Sequence, residues 1–318
     1  MFKLIKKVVF YSILILISLE LLVRVFHLQN ERPNRYADEF GVEKWIPNQI
    51  EYSITGNRKQ NVGKYRINSI GFNTVYDTYN PFVDSVEIAI VGDSFIEGFH
   101  EDYTNSLGQQ VDKVFPNLKV LEFGYAGYDL ADELHLIKAY EHYFKNINHT
   151  FIYLRFTDDL ERNHYVESSR LDLNSPIRTV AKQIKSLVYA KDIGLFSSVA
   201  KTPNRIKSFV KGNKILKIKK EKEFEKNLKR LENFKKLMRT YPIEKSKFTF
   251  LLDERLCSAP FLKYLAENNF NVLDYGEKMD ASKKQTTLVY DQHWSKEGRK
   301  IVANLISDYI CNKSLMIK

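Results

Sequence analysis

The sequence is poor in cysteine, and this scarcity excludes a disulfide-rich fold and a cysteine-based metal cluster. Only Cys257 and Cys311 occur among the 318 residues, and they are far apart in the chain. Two thiols cannot build a disulfide framework and are too few to hold a metal cluster. A single bridge can form in an oxidising compartment, but we favour two separate buried thiols because cysteine behaves as a small hydrophobe.

Motifs for binding phosphate or metal are also missing. The segment 92–98 has a glycine at each end but lacks the lysine that a P-loop needs. His135 and His142 are seven residues apart on a predicted helix, and His149 follows just beyond it. None of the three has the partner three or four residues away that a helical metal site requires. We therefore expect surface histidines, no metal and no cofactor.

The first 26 residues are typical of a membrane anchor. Three lysines precede an apolar run from Val8 to Phe26. Basic residues followed by an apolar run fit an export signal with a cytoplasmic N-terminus. We find no small-residue cleavage site after the run. Residues 1–30 are therefore predicted to remain as a single-pass anchor in the cell membrane, with the rest of the chain extracytoplasmic (periplasmic or at the cell surface).

Two charged residues lie in the distal part of this run. Glu20 and Arg24 are one helical turn apart, where their side chains can pair or reach the membrane interface. The alternative that they leave open is an amphipathic helix lying on the membrane surface.

Charge is distributed unevenly along the chain. Residues 178–247 contain 21 Lys/Arg against 6 Asp/Glu, a net charge of +15, whereas the whole chain carries +10. A basic segment of this size suggests contact with anionic lipid headgroups or an anionic polymer. A solvated helical insertion explains the same charge without any partner. The anchor argues against nucleic acid.

Hydrophobic periodicity divides the chain into a lead-in and an α/β domain. Residues 31–84 are rich in turn formers and predict an irregular membrane-proximal segment that packs partly on the core. Residues 85–312 alternate between strands and helices, which predicts a parallel sheet with right-handed crossovers. A basic helical insertion interrupts this rhythm at about 165–220. Strands are predicted at 86–91, 119–123, 150–156, 247–253 and 270–274, and helices at 103–114, 130–143, 224–238, 261–267 and 296–310.

The first predicted strand of the sheet runs directly into Gly92-Asp93-Ser94. This pattern delivers a hydroxyl to the carboxyl edge of the sheet, where open α/β proteins place their chemistry. We expect Ser94 to be a nucleophile, although a serine here can also merely cap the following helix. Asp93 is expected to stabilise the loop through backbone hydrogen bonds.

A base for this serine is predicted near the C-terminus. His293 has Asp291 two residues before it, and in a loop that carboxylate can orient the imidazole and fix its tautomer. A structural turn pair is the alternative. His100 lies on the loop leaving the strand and is expected at the rim of the site.

An acyl-transfer site also needs N–H donors aimed at the developing oxyanion. The backbone amides of Ser94 and Gly124 are candidates, because both follow predicted strands at the carboxyl edge. Glycine lets a backbone approach a substrate closely, although Gly124 can also be only a turn glycine.

Three blocks of the sequence together resemble the GDSL/SGNH hydrolases. They are Gly92-Asp-Ser-Phe95, Phe123-Gly-x-x-Gly127 and Asp291-x-His-Trp-Ser-x-x-Gly298. Their order and spacing are most similar to those of membrane-anchored bacterial members associated with surface polysaccharides. The resemblance implies a flavodoxin-like three-layer α/β/α fold, ester chemistry and no metal.

Residue by residue, the resemblance carries over a complete catalytic set. It implies Ser94 as nucleophile, His293 as base, Asp291 as the acid and Gly124 as an oxyanion donor. Asp158 stands where the family has an asparagine that donates to the oxyanion. An ionised carboxylate cannot donate, so Asp158 serves the oxyanion hole only when protonated.

Two further observations qualify the implied chemistry. Asn163 and Thr157 are alternative donors to the oxyanion.

The Asp-x-His-Trp sequence is similar to a motif of alginate-type O-acetyltransferases. We therefore expect a serine esterase that acts on O-acyl esters of a cell-surface carbohydrate, with O-acetyl esters as the favoured case. An O-acyltransferase on the same substrates is one alternative, and a catalytically weak scaffold that binds polysaccharide or membrane partners is another.

Overall fold

The computed structural model describes most of the chain. The described residues are 1–55, 59–80, 86–115, 117–167, 176–195, 212–289 and 292–313, with the backbone alone at 86, 176–179 and 212–221.

The first helix, α1 (Phe2–Val25), is apolar around its circumference and almost entirely exposed. An 18-residue window within it has a mean hydropathy of 2.3, so the helix is long and apolar enough to cross a membrane. An export signal meets the same criteria of length and composition. Arg24 donates from Nε to Oε1 of Glu20 at 2.8 Å, which confirms that these two side chains can pair.

Short antiparallel strand pairs follow this helix. Strand β1 pairs with β2 and β3 with β4. The rings of Trp45, Tyr65 and Phe72 are buried in the same hydrophobic core as one face of the central sheet. The lead-in is therefore more regular than predicted, and it packs on the core as expected. Its strands are β1 (Arg35–Ala37), β2 (Glu43–Trp45), β3 (Ile50–Thr55) and β4 (Asn61–Arg66).

Five parallel strands form the central sheet, in the spatial order β6-β5-β7-β8-β9. Because β5 lies between the two strands that follow it in the chain, the strand order reverses there, and β5 ends at a topological switch point. The strands are β5 (Val86–Gly92), β6 (Leu118–Gly124), β7 (His149–Tyr153), β8 (Phe248–Leu252) and β9 (Asn271–Asp274).

Helices cover both faces of this sheet. On β5, Ala89 and Val91 face a core shared with α4, α8 and α9, whereas Ile88 and Ile90 face a second core shared with α3, α10 and α11. The predicted three-layer α/β/α fold with a flavodoxin-like strand order is thus confirmed. The helices are α2 (Ser94–Glu97), α3 (Leu107–Asp112), α4 (Leu130–Ala139), α5 (Glu141–Phe144), α6 (Pro176–Gln183), α7 (Lys185–Asp192), α8 (Gly212–Thr240), α9 (Ala259–Glu267), α10 (Gly276–Asp280) and α11 (Lys296–Asn312).

Several predicted elements have different bounds in the structure. The helix predicted at 130–143 breaks at Tyr140, whose hydroxyl accepts a hydrogen bond from Lys44 Nζ at 2.5 Å and donates one to Asp38. These partners belong to the lead-in, so local periodicity could not reveal them. In place of the helix predicted at 103–114, the structure has a 3-10 turn at Tyr103–Asn105 followed by the shorter helix α3. Helix α8 starts within the predicted insertion rather than at Phe224.

Two predictions about single side chains are wrong. His149 is buried rather than exposed, because it begins the inner strand β7, and its Nε2 lies 2.8 Å from Thr249 Oγ1. Burial lowers the pKa of His149 to about 4, so this imidazole is neutral at physiological pH. Cys257 and Cys311 are free thiols, but Cys257 is only half-buried and Cys311 is exposed on the last turn of α11.

Candidate active site

The end of β5 and the start of α2 hold Ser94 at the carboxyl edge of the sheet. Asp93 is the N-cap of α2, and its Oδ1 accepts a hydrogen bond from Phe95 N at 2.9 Å. Asp93 therefore stabilises the serine loop as predicted. Ser94 itself is half-buried as the first residue of the helix, so its hydroxyl remains accessible.

His293 reaches this serine from the other end of the chain. Its Nε2 lies 2.7 Å from Ser94 Oγ, within hydrogen-bond distance. The imidazole lies between two rings, with centroid distances of 4.6 Å to Phe95 and 4.0 Å to His100. His100 thus lines the site as expected, and these rings restrict how far the imidazole can turn. Asp291 lies outside the described residues, so its role stays a prediction.

The loop before α11 fixes the backbone of the histidine. His293 O accepts from Leu288 N at 2.7 Å, and Ser295 N donates to Thr286 O at 2.9 Å. Ser295 then caps α11 by accepting from Gly298 N at 3.3 Å. The loop is therefore held at both sides of the imidazole, which gives the base a defined position relative to Ser94.

The amide of Ser94 is free to serve an oxyanion. Asp93 accepts the amides of Phe95, Ile96 and Glu97 through its side chain and carbonyl. Among the described residues, by contrast, no acceptor lies within hydrogen-bond distance of Ser94 N. An unused amide at a helix N-terminus, beside the nucleophile, is a suitable donor for negative charge.

Gly124 is packed beneath α2 instead of lining a cleft. A Cβ on this residue would lie 2.1 Å from Glu97 N and 2.4 Å from Ile96 C. The glycine is therefore required for the close approach of β6 and α2. Its predicted role as an oxyanion donor finds no support in this packing.

The turn after Gly124 offers another donor. The amide of Tyr125 donates to Gly92 O at 3.1 Å, and that of Ala126 donates to Glu97 Oε1 at 3.0 Å. No acceptor for the amide of Gly127 occurs among the described residues, and Gly127 has a φ of +92°. This amide follows Ala126, which lines a cleft at Ser94. Gly127 is therefore the better candidate for the second oxyanion donor.

Asp158 is an exposed acceptor beside the site. Its Oδ2 accepts from Arg155 Nη1 at 3.1 Å and from Thr157 Oγ1 at 3.3 Å, and 57% of its side chain is exposed. This contact with a guanidinium offsets the negative charge that would otherwise repel an oxyanion. Asn163, the other predicted donor, instead accepts through its Oδ1 from Lys236 at 3.4 Å.

Arg155 forms ion pairs with acidic side chains below the serine loop. Its Nη2 lies 2.7 Å from Asp93 Oδ2 and 3.3 Å from Asp159 Oδ1. Arg155 follows β7 at the carboxyl edge of the sheet, but the strand predicted at 150–156 contained it. Its charge inside an otherwise apolar predicted strand was the signal in the sequence.

Two clefts meet at Ser94 and His293. The first has a volume of about 530 Å³ and the second about 540 Å³, and Ser94 and His293 are the lining residues that they share among those the structure describes. The first runs toward the lead-in and the insertion, where Arg32, Arg35, Trp45 and Tyr189 are among its walls. The second runs over the ends of β7, β8 and β9, with walls that include Arg155, Thr157, Asp158, Arg255 and Tyr275.

Glu97 and Trp45 are site residues that the sequence reasoning missed. Glu97 lines the first cleft, and its Oε1 accepts from Trp45 Nε1 at 2.8 Å. Burial raises the pKa of Glu97 to about 7. Its position three residues after Ser94, in the same helix, was a signal in the sequence. Trp45 gave no such signal, because only the folded lead-in brings it here.

A serine hydroxyl in contact with an imidazole, with an unused amide beside it, is the arrangement of serine-dependent acyl-transfer enzymes. The described residues contain no cluster of three or more His, Cys, Asp and Glu side chains that could hold a metal ion.

No family model matches the sequence, and no curated protein is similar to it. Solved structures with a related chain path exist. One is a lipase/acylhydrolase from Enterococcus faecalis, with 13% identity and a TM-score of 0.41, over 72% of this chain and 96% of that one. A lipolytic protein of the G-D-S-L family from Veillonella parvula has 14% identity and a TM-score of 0.37, over 71% and 99%. A carbohydrate acetylesterase family member from Sinorhizobium meliloti has 12% identity and a TM-score of 0.36, over 72% and 98%.

These structures include a member of the family that the sequence blocks resemble. Their TM-scores are all below 0.5, however. The functional proposal therefore rests on the geometry of the site.

Proposed function

We propose that this chain is a serine esterase of the SGNH type. Its substrates would be O-acyl esters of a cell-surface carbohydrate, and O-acetyl esters are the favoured case. The observation that carries the proposal is the 2.7 Å contact between Ser94 Oγ and His293 Nε2 at the carboxyl edge of a parallel sheet. A serine hydroxyl becomes a competent nucleophile only when a base is this close.

The mechanism follows from this contact. His293 takes the proton of Ser94 while Oγ attacks the acyl carbon, and Asp291 orients the imidazole. The amides of Ser94 and Gly127 hold the oxyanion of the tetrahedral intermediate. As the bond between the acyl carbon and the sugar oxygen breaks, His293 protonates that oxygen, so the sugar leaves as an alcohol and the acyl group stays on Ser94. Water, deprotonated by the same imidazole, releases the acid and restores the serine.

Polar side chains in the first cleft favour a carbohydrate substrate. Asn30 and Thr55, which are partly exposed, offer hydrogen bonds to sugar hydroxyls. The apolar helix α1 favours a single-pass anchor, and the three lysines before its apolar run favour a cytoplasmic N-terminus. The domain would then meet its substrate outside the cytoplasm.

Acyl transfer to a second sugar is the alternative with an observation in its favour. The two clefts approach Ser94 from different sides and have nearly equal volumes. One can hold the acyl donor while the other holds an acceptor hydroxyl in place of water. The scaffold alternative was based on the charge of Asp158 and on the basic insertion, and the first of these is weakened because Arg155 Nη1 lies 3.1 Å from Asp158 Oδ2.

The test uses the purified full chain and an aryl acetate. Replacing Ser94 by alanine should reduce hydrolysis by about 10⁴-fold or more, because the covalent step is lost. Ser246→Ala, a change at an exposed serine away from both clefts, should leave the rate unchanged. Equal hydrolysis by the Ser94→Ala protein would overturn the proposal. An acetylated sugar with a second sugar as acceptor then measures transfer against hydrolysis.

A further inference from the structure

A third cavity adjoins the first cleft, near the end of α1. This cavity has a volume of about 780 Å³, and we call it the cationic chamber because Arg32, Arg35, Lys182 and Lys191 line it. Four of its lining residues also line the first cleft, so the chamber adjoins the cleft that reaches Ser94. The shared residues are Asn30, Arg32, Arg35 and Asp192.

Positive charge in the chamber exceeds negative charge. Its four cationic side chains face two carboxylates, those of Glu31 and Asp192. Arg35 is also paired with Glu43, at 3.1 Å, so the excess of positive charge lies on Arg32, Lys182 and Lys191. Glu31 is already paired with Lys185 at 2.5 Å, on the edge of the same insertion. Among the described residues, Arg32 and Lys191 have no carboxylate within ion-pair distance. A site of this kind is suited to an anion that the protein itself does not supply.

The cations are close enough to affect one another. Burial lowers the pKa of Lys182, and the nearby charges of Arg35, Arg32 and Lys191 lower it further. Such crowding destabilises the empty chamber, and a bound anion relieves it. An arginine guanidinium presents a planar set of donors that matches phosphate oxygens, and lysine adds a mobile point charge.

The position of the chamber relative to α1 indicates where the anion comes from. Glu20 Oε1 accepts from Lys185 N at 2.9 Å, Glu20 Oε2 accepts from Ser186 N at 2.8 Å, and Arg24 Nη2 donates to Gln183 O at 2.6 Å. These bonds fix the start of α7 against the last turns of α1. One wall of the chamber is therefore attached to the end of the helix that is proposed to leave the bilayer.

Apolar side chains on the same insertion point to a membrane surface. Val180, Ile184 and Leu187 are 59%, 48% and 42% exposed, next to lysines on α6 and α7. Exposed apolar residues interspersed with lysines are typical of helices that lie in the lipid interface. Helices α6 and α7 would then place the mouth of the chamber at the level of the lipid headgroups.

We infer that the cationic chamber binds a phosphate group of the substrate, and that this phosphate belongs to a membrane lipid. The acyl ester would be carried on a phosphate-bearing amphiphile and would reach Ser94 along the first cleft, from the bilayer surface. The inference rests on the proposed esterase function, because it identifies the substrate class of the same site.

The experiment uses the full chain in nanodiscs of phosphatidylcholine, with and without phosphatidylglycerol, and follows aryl acetate hydrolysis. Phosphatidylglycerol should raise KM without lowering kcat, because its headgroup occupies the approach to Ser94. In the double variant Arg32→Gln/Lys191→Gln, the inhibition constant of phosphatidylglycerol should rise by about fivefold for each charge removed. The matched control, Lys226→Gln/Lys229→Gln on the exposed face of α8, should behave as the unchanged protein.

A second arm separates lipid phosphate from soluble phosphate. Glycerol phosphate in solution should inhibit much more weakly than phosphatidylglycerol in the disc. Equal potency of the two would overturn the lipid source. Ser94-dependent hydrolysis that neither compound affects would overturn the whole inference and leave the esterase proposal standing.

Binding can also be read without catalysis. Trp45 lines the first cleft, and its ring lies 5.0 Å from the Arg35 guanidinium, so its fluorescence should respond to an anion nearby. Ser94→Ala protein titrated with phosphatidylglycerol discs should show this response, and the Arg32→Gln/Lys191→Gln change in that background should abolish it. A response that survives the double change would place the lipid elsewhere and overturn the inference, whatever the enzyme assay shows.

Discussion

Ser94 Oγ and His293 Nε2 lie 2.7 Å apart, although 199 residues separate them in the chain. The contact depends on two independent supports. Helix α2 holds the serine at the switch point of the sheet, and the loop before α11 holds the imidazole between Phe95 and His100. Changes that move either support should impair the site without touching the reacting atoms.

Replacing Gly124 by alanine is one such change. The added Cβ would collide with the backbone of α2, so we expect a loss of about 1–3 kcal/mol in stability and a clear fall in ester hydrolysis as Ser94 moves. Thermal unfolding and aryl acetate hydrolysis measure the two effects. Gly41→Ala is the control, because at Gly41 a Cβ would meet only the Tyr165 side chain at 3.5 Å and the φ of +78° costs about 1 kcal/mol. Full activity of Gly124→Ala would show that the packing beneath α2 does not position the serine.

Asp158→Asn tests whether the site is impaired by its acidic residue. Arg155 already offsets this carboxylate, and the side chain is largely exposed, so we expect a change in kcat far below the 10²–10³-fold effect of an oxyanion donor. Steady-state kinetics on an aryl acetate decide the point. A large increase in kcat would show that the native carboxylate suppresses catalysis and would favour the scaffold alternative.

Glu133 should make stability depend on pH. Both carboxylate oxygens are buried without a hydrogen-bond partner among the described residues, and burial, with Asp159 and Asp93 nearby, raises the pKa of Glu133 well above its usual value. The folded protein keeps a proton that the unfolded chain releases above about pH 4.3. Stability from this group is therefore fully present below that pH. It falls by about 1.4 kcal/mol per pH unit above it, until the pH passes the raised pKa of Glu133 in the folded protein.

Glu133→Gln should remove this contribution from the pH dependence. The free energy of unfolding, measured by denaturant titration from pH 5 to 8, should fall less steeply with pH in the variant than in the unchanged protein. Glu141→Gln, at an exposed position of the next helix, should keep the original slope. Identical slopes for all three proteins would show that Glu133 is ionised in the fold.

The two free thiols provide a test of membrane orientation. Cys311 is exposed, whereas Cys257 is half-buried. Burial raises the pKa of Cys257 to about 12, so this side chain stays a protonated thiol and does not react as a nucleophile. A membrane-impermeant maleimide applied to intact cells should therefore label Cys311, and Cys311→Ser should abolish the labelling. Labelling only after the cells are lysed would place the domain in the cytoplasm.

The central sheet and the contact between Ser94 and His293 could be predicted from the sequence because both depend on local patterns. A buried strand that ends in Gly92-Asp93-Ser94 fixes the edge at which the hydroxyl lies, and the capped helix α11 places His293 at the same edge. Element ends were less predictable where a distant residue decides them. Tyr140 ends α4 because its hydroxyl binds Lys44 and Asp38 of the lead-in.

The walls of the clefts were the least predictable part. Trp45 reaches Glu97, and Arg32 reaches the insertion, only because the lead-in folds over the sheet edge. For Gly124 the position could be predicted from the sequence, but the role could not. Its place after β6 was predicted, but only the packing of α2 against it shows that it supports the site from below.

The most direct test of the account is labelling with a fluorophosphonate, followed by intact mass and peptide mapping. The unchanged protein should acquire one phosphonyl group on Ser94. His293→Gln should slow the reaction by about 10⁴-fold or more, and His135→Gln, outside both clefts, should react normally. An inert Ser94, or one that reacts equally fast without His293, would contradict the central claim that the imidazole activates this hydroxyl.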